Sequence, residues 1–237
     1  MRLASVAVAY KEERFIPKYI QAMQNRVEEV VVLNSTKPWQ GTHTEEDKTA
    51  AIARSLGATV IEHDWSTEHE QRNAGQEYLS DFDWIIVLDP DEYITNDMWS
   101  KLYKFLEEQE EVRAFLPEMQ HTYWKNGYVI DPPEDYKQVI AVRPSVRFFD
   151  KRCVDVPYAH APIDLHHFSW ARTDKECLSK IQHYAHAHEF DTADWYQKVW
   201  KDWHPMSLNL HPLTPEALRQ AVPAKLPEEL EKLDLWP

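Results

Sequence analysis

The run Trp84-Ile85-Ile86-Val87-Leu88 passes without a break into Asp89-Pro90-Asp91-Glu92, and this junction constrains the fold more than any other part of the chain. Consecutive β-branched and aromatic residues read as a strand buried on both faces, which requires helices above and below a parallel sheet. The carboxylates then stand at the strand's carboxyl end. In open α/β sheets that edge is where ligands bind, and clustered oxygen donors there suit a divalent cation carrying phosphates. A solvated acidic turn, with Pro90 ending the ladder, accounts for the same residues, because Asp-x-Asp is a short pattern.

Ahead of this strand, apolar runs alternate with amphipathic ones. Leu3 to Ala9 reads as a buried strand and Arg14 to Gln24 as a helix with Phe15, Ile16, Tyr19, Ile20 and Met23 on one face. Val30 to Leu33 is a second strand, ending at Asn34-Ser35. The polar tract Thr36 to Thr44 leads into a helix through Leu56, closed by Gly57, and Ala58 to Glu62 is a third strand. Glu68 to Ser80 is helical despite Gly75, and Thr95 or Asn96 caps a helix striped by Trp99, Leu102, Phe105 and Leu106. The order predicts an α/β fold, a doubly wound mixed sheet flanked by helices.

From Val112 the texture changes. Arg113 to Leu116, Gln120 to Trp124 and Tyr128 to Ile130 read as strands, the last two a hairpin around Asn126-Gly127, with Asp131 to Asp135 a surface loop. Val139 to Val142 and Val146 to Phe149 are further strands. Asp155 to Trp170 is dense in His and Asp and short of periodicity. Helices follow from about Asp174 to His188 and from Thr192 to Trp203. In the second, Tyr196, Val199, Trp200 and Trp203 share a face, and Trp195 lies off it, available for stacking. Glu216 to Val222 and Glu228 to Leu233 are short amphipathic turns.

A net charge of −14 argues against a nucleic acid or an anionic membrane as the main partner, though not against a nucleotide held by a metal. Gly41, Gly57, Gly75 and Gly127 are all the glycine there is, so no Gly-x-Gly-x-x-Gly or Walker loop can be written. Cys153 and Cys177 form neither a disulfide framework nor a metal-ligand spacing, and no apolar run is long enough to span a membrane. A reducing, cytoplasmic setting is expected.

The exits of successive strands carry polar groups that suit a nucleotide. Tyr10 can stack on a base, Asn34 can hydrogen-bond a base edge, and Arg72 with Asn73 can reach the phosphates. Singly, each also serves as core packing, a turn residue or a solvated helix residue; their joint placement favours a site.

Val6-Ala7-Val8-Ala9-Tyr10-Lys11-Glu12-Glu13, Leu33-Asn34-Ser35-Thr36, Gln71-Arg72-Asn73-Ala74-Gly75 and Leu88-Asp89-Pro90-Asp91-Glu92 resemble, in order, the motifs of family 2 glycosyltransferases of the GT-A fold. The resemblance covers the first 95 residues or so well. It is looser around Arg147-Phe148-Phe149 and from His166 to Arg172. It implies a GT-A-like sheet with residues 1–110 as the nucleotide-binding half, 111–190 as the acceptor-side half and 191–237 as a helical C-terminal extension. It also implies transfer of a sugar from a nucleotide-diphosphate donor to a glycan or other hydroxyl acceptor, with Mn²⁺ or Mg²⁺ bridging the diphosphate. By position, Ala9, Tyr10 and Glu12 line the nucleoside pocket, Asn34 faces the base, Asp89 touches ribose or metal-bound water and Asp91 ligates the metal. Lys11 stands where the family usually has Asn, and Asn34-Ser35-Thr36 where it has Asp and a Gly-containing turn, so UDP is a preference only.

Some relatives add a late histidine, for which His166 and His167 are candidates; adjacent strand residues face opposite ways, and His167 is favoured. Inversion, as in family 2 relatives, calls for a carboxylate base downstream. Asp164 is the first choice, Asp155 the second and Glu92 a third. Rival readings are a sugar nucleotidyltransferase, which normally opens with a Gly-rich loop absent here, and a catalytically silent sugar-binding module. A haloacid-dehalogenase-like phosphatase wants Thr or Val where Tyr93 stands.

Overall fold

A computed structural model describes residues 1–42, 47–125, 127–214 and 218–237. In chain order the elements are β1 Leu3–Ala9, α1 Ile16–Met23, β2 Glu29–Ser35, α2 Thr49–Ser55, β3 Thr59–His63, α3 Glu68–Tyr78, β4 Trp84–Ile86, β5 Glu92–Tyr93 and α4 Asn96–Glu107. The second half carries β6 Ala114–Trp124, β7 Tyr128–Asp131, β8 Ala141–Val142, β9 Phe148–Asp150, β10 Cys153–Val154, β11 Tyr158–Trp170, α5 Asp174–His183, α6 Thr192–Trp195, β12 Gln220–Pro223 and α7 Glu228–Glu231.

The main sheet runs β12-β7-β6-β8-β4-β1-β2-β3, with β11 joined to both β6 and β5. Strands β1 to β4 are parallel where they pair, and β8 antiparallel to β4 makes the sheet mixed. Its two faces sort the residues of one strand by parity. Trp84, Ile86 and Leu88 join Ile16, Ile20 and Leu102 in one core, while Ile85 and Val87 join Val6, Leu33 and Leu79 in the other. The strand is thus buried on both sides, as its unbroken apolar run requires. Helix α3 lies close on the sheet: a Cβ on Gly75 would come within 2.7 Å of Val6 and 3.1 Å of Leu33, so only glycine fits without movement. A Thr67–Glu70 capping box starts this helix.

Several expectations change. Asp155 to Trp170 is not irregular: β11 fills most of it, running parallel to β6 from Tyr158↔Ala114 to Trp170↔Trp124. Pro162 falls where the register shifts, between Ala161 and Asp164, and that interruption hides the period. Arg113 to Leu116 and Gln120 to Trp124 belong to one strand that continues through Pro117. The turn at Asn126, the start of the helix before Leu56 and residues 216–217 lie wholly or partly outside the described residues; α2 is described from Thr49. The tail is not only helical, since β12 pairs antiparallel with β7. Trp195 is not free to stack: it is 7% exposed among Trp124, Trp170 and Trp200, and its indole N–H donates to the Leu210 carbonyl at 3.1 Å. The helix there passes from α6 into a π-helical turn, Tyr196–Lys201, which shifts the face expected from a regular period.

Candidate active site

The acidic turn is held by backbone pairing before any side chain acts. Beyond Ile86 the chain leaves the ladder, and two residues of β5 pair antiparallel with β11, His167 opposite Glu92 and His166 opposite Tyr93. The Phe168 N–H donates to the Asp91 carbonyl at 2.7 Å. His167 Nε2 is thereby brought to 3.5 Å from Asp91 Oδ1. His166, one residue earlier, points to the other side, where its Nδ1 shares a 2.8 Å hydrogen bond with the Tyr123 hydroxyl and its ring stacks on His121. Burial, then His121, pulls His166 down to about 4, so it is a neutral packing residue.

The other oxygen of Asp91 is met by two cations. Arg172, which precedes the Thr173 cap of α5, donates to Oδ2 at 2.7 Å, and Lys180 on that helix donates to it at 3.1 Å. Arg172 also reaches Glu12 at 3.1 Å, tying β1's exit to the same corner. Burial works against charge on Asp91, but Lys180, His167 and Arg172 hold it well below the usual carboxylate range. For His167 burial pulls the other way, yet Asp91 raises it above the usual imidazole range. Burial pushes Glu12 up despite Arg172.

Asp89 is fixed from behind. Arg72, fully buried on α3, donates to its Oδ1 and Oδ2 at 2.8 and 3.1 Å and to Glu68 at 2.8 Å. Glu92 is fully buried, clamped by Arg152 at 2.8 and 2.9 Å, and it accepts the Asp89 N–H at 2.9 Å. It therefore shapes the turn and has no oxygen free for an acceptor.

These groups open on a cavity of about 1370 Å³ whose wall includes Tyr10, Glu12, Asp89, Asp91, His167 and Lys180. Ala9 and Asn34 pair in register behind this wall and do not line it. Asp164 and Asp155 do not line it either. In the register β11 keeps from Asp164 to His167, residues three apart face opposite ways, so the face that presents His167 turns Asp164 outward, 41% exposed and 3.7 Å from His121. Asp155 is exposed, after β10. Arg152 and Lys180 carry no signal in the sequence: single basic residues make no motif, and only the tertiary fold aims them inward.

The donor set suits a Mg²⁺- or Mn²⁺-class ion. Two neighbouring donors on an octahedral ion with bonds of about 2.1 Å stand about 3.0 Å apart, so Asp91 Oδ1 and His167 Nε2, at 3.5 Å, would have to close by about 0.5 Å to share one. No cluster of three such protein donors occurs among the described residues. The remaining positions would fall to phosphate and water, as such ions accept.

Residues 6–175, from β1 into α5, match the family model "Glycosyl transferase family 2". The chain belongs to glycosyl transferase family 2. A TPR repeat-containing protein of Synechococcus elongatus is 28% identical to this chain over 137 residues, 58% of its length; the chain spans 31% of that relative's length. A mannosyltransferase from Pyrobaculum calidifontis, in complex with GDP-Man and Mn²⁺, has a TM-score of 0.51 at 13% identity, covering 80% of this chain and 65% of its own. That likeness shows the GT-A fold. A looser overlap, TM-score 0.41 at 10% identity, occurs with a 4-diphosphocytidyl-2C-methyl-D-erythritol synthase of Anaerococcus prevotii, over 68% of this chain and 89% of that one. No described helix of the chain is long and apolar enough to cross a membrane.

Proposed function

We propose that the chain transfers a sugar from a nucleotide-diphosphate donor, UDP being the preferred nucleotide, to a hydroxyl of a glycan or other acceptor, with inversion at the anomeric carbon and with Mn²⁺ or Mg²⁺. The observation that carries this is the juxtaposition of two metal-type donors, Asp91 and His167, with Arg172 and Lys180 in one cavity. A bound divalent ion supplies Lewis-acid neutralisation of the leaving diphosphate.

The protein's own groups do the rest. Lys180 and Arg172, both on the cavity wall, lie where phosphate oxygens would come, and charge-assisted donors of this kind are the strong ones. Arg72 and Arg152 keep Asp89 and the turn in place. Tyr10 offers the base a ring face whose hydroxyl is buried without a partner. The Pyrobaculum enzyme's GDP-Man and Mn²⁺ support the donor class and the ion here, and leave GDP as the competing nucleotide. Two free cysteines support a cytoplasmic setting.

Calorimetry with UDP, with and without Mn²⁺ or Mg²⁺, tests the proposal. Binding is expected to require the ion and to vanish in Asp91→Ala, with circular dichroism checking that the variant folds. Metal-independent or absent nucleotide binding would sink it.

A further inference from the structure

Glu134 sits in the loop after β7, 13% exposed, on the wall of the same cavity. Its Oε2 accepts a hydrogen bond from the Thr122 hydroxyl at 2.9 Å. Among the described residues, its Oε1 is the buried carboxylate oxygen that has no hydrogen-bond partner. A buried acceptor of this kind costs stability unless something donates to it. The other acids turned toward the reaction corner are already committed: Glu12 and Asp91 to Arg172, Glu68 and Asp89 to Arg72, Glu92 to Arg152.

Placement agrees with chemistry. Thr122 is the register partner of His167 on the adjacent parallel strand, so both side chains stand on one face about 4.8 Å apart along the ladder. The nearest basic group to Oε1 is His211, its Nε2 at 3.6 Å, a titratable ring rather than a permanent cation. Burial keeps His211 below the usual imidazole range and hence neutral at neutral pH.

We propose that Glu134 is the base that takes the acceptor's proton, Oε1 receiving it. This rests on the glycosyl-transfer proposal above. The acceptor oxygen forms its bond to the anomeric carbon, the bond from that carbon to the diphosphate oxygen breaks, and the nucleoside diphosphate leaves with the electron pair. The hydroxyl proton ends on Glu134.

The test uses the whole chain with Mn²⁺, UDP-glucose and GDP-mannose as donors and water as the acceptor, beside calorimetry with UDP and GDP. In Glu134→Gln, donor hydrolysis is expected to fall roughly 10²–10⁴-fold while the nucleoside diphosphate binds within about twofold of wild type, and Glu134→Asp recovers part of the rate. Hydrolysis in Glu134→Gln equal to wild type overturns the base alone. A variant that loses nucleotide binding together with hydrolysis also overturns it, making Glu134 a structural residue. A wild type that binds neither UDP nor GDP overturns the transfer proposal and this one with it.

Discussion

Nε2 of His167 stands 3.5 Å from Oδ1 of Asp91 because the backbone puts it there: Glu92 pairs with His167 across β5 and β11, and the next N–H along β11 bonds the Asp91 carbonyl. The pair is therefore preorganised rather than assembled by its ligand.

From this follows the effect of His167→Ala on the ion. Calorimetric affinity for Mn²⁺ in the presence of UDP should fall by at least the roughly 10–100-fold that loss of a mere outer-shell partner costs. An unchanged affinity would remove His167 from the coordination shell. Asp91 keeps Arg172 and Lys180 in this variant, so the fold should survive.

Arg152 and Glu92 form a second fixed relationship, both almost wholly buried and joined by two hydrogen bonds. Replacing Arg152 by Met strands an uncompensated carboxylate in the core. The expected loss is about 3–5 kcal/mol in urea unfolding. A loss near zero would mean that Glu92 finds another partner or takes up a proton.

The two cysteines should differ in reactivity. Burial pushes the Cys177 thiol up to about 12, and it is inaccessible, whereas Cys153 is half-buried on the cavity wall. Iodoacetamide at pH 8 should label Cys153 and spare Cys177 until urea unfolds the chain, as peptide mass spectrometry would read. The folded thiol lies above its unfolded value of 9.0, so its contribution to stability is complete below pH 9 and is lost as the pH climbs toward 12. Equal labelling of both cysteines in the folded protein would contradict the burial of Cys177.

The legible half of the molecule is the one whose signals are local. Strand β4 announces itself because burial on both faces leaves no polar residue in it, and the exits at Tyr10 and Asp89 follow from the order of strands. Where function depends on pairing between distant segments, sequence reading falters. A continuous strand puts Asp164 and His167 on opposite faces, since a period of two separates them, and the shift at Pro162 conceals that strand in the sequence. Glu134 carries no local signal in its Pro-rich loop, because its proposed role depends on Thr122 lying beside it. The burial of Trp195 is hidden in the sequence because a π-helical turn breaks the angular count.

The joining of β5 to β11 has a consequence for how the protein comes into being. Asp91 and His167 belong to segments far apart in the chain, and the parallel pairing of β6 with β11 is a long-range closure of the kind that folds slowly. A nascent chain that has emerged only through β4 can lay down its first parallel strands yet still lacks both members of the Asp91–His167 pair. The proposed site is thus completed late, with the strand that carries His167.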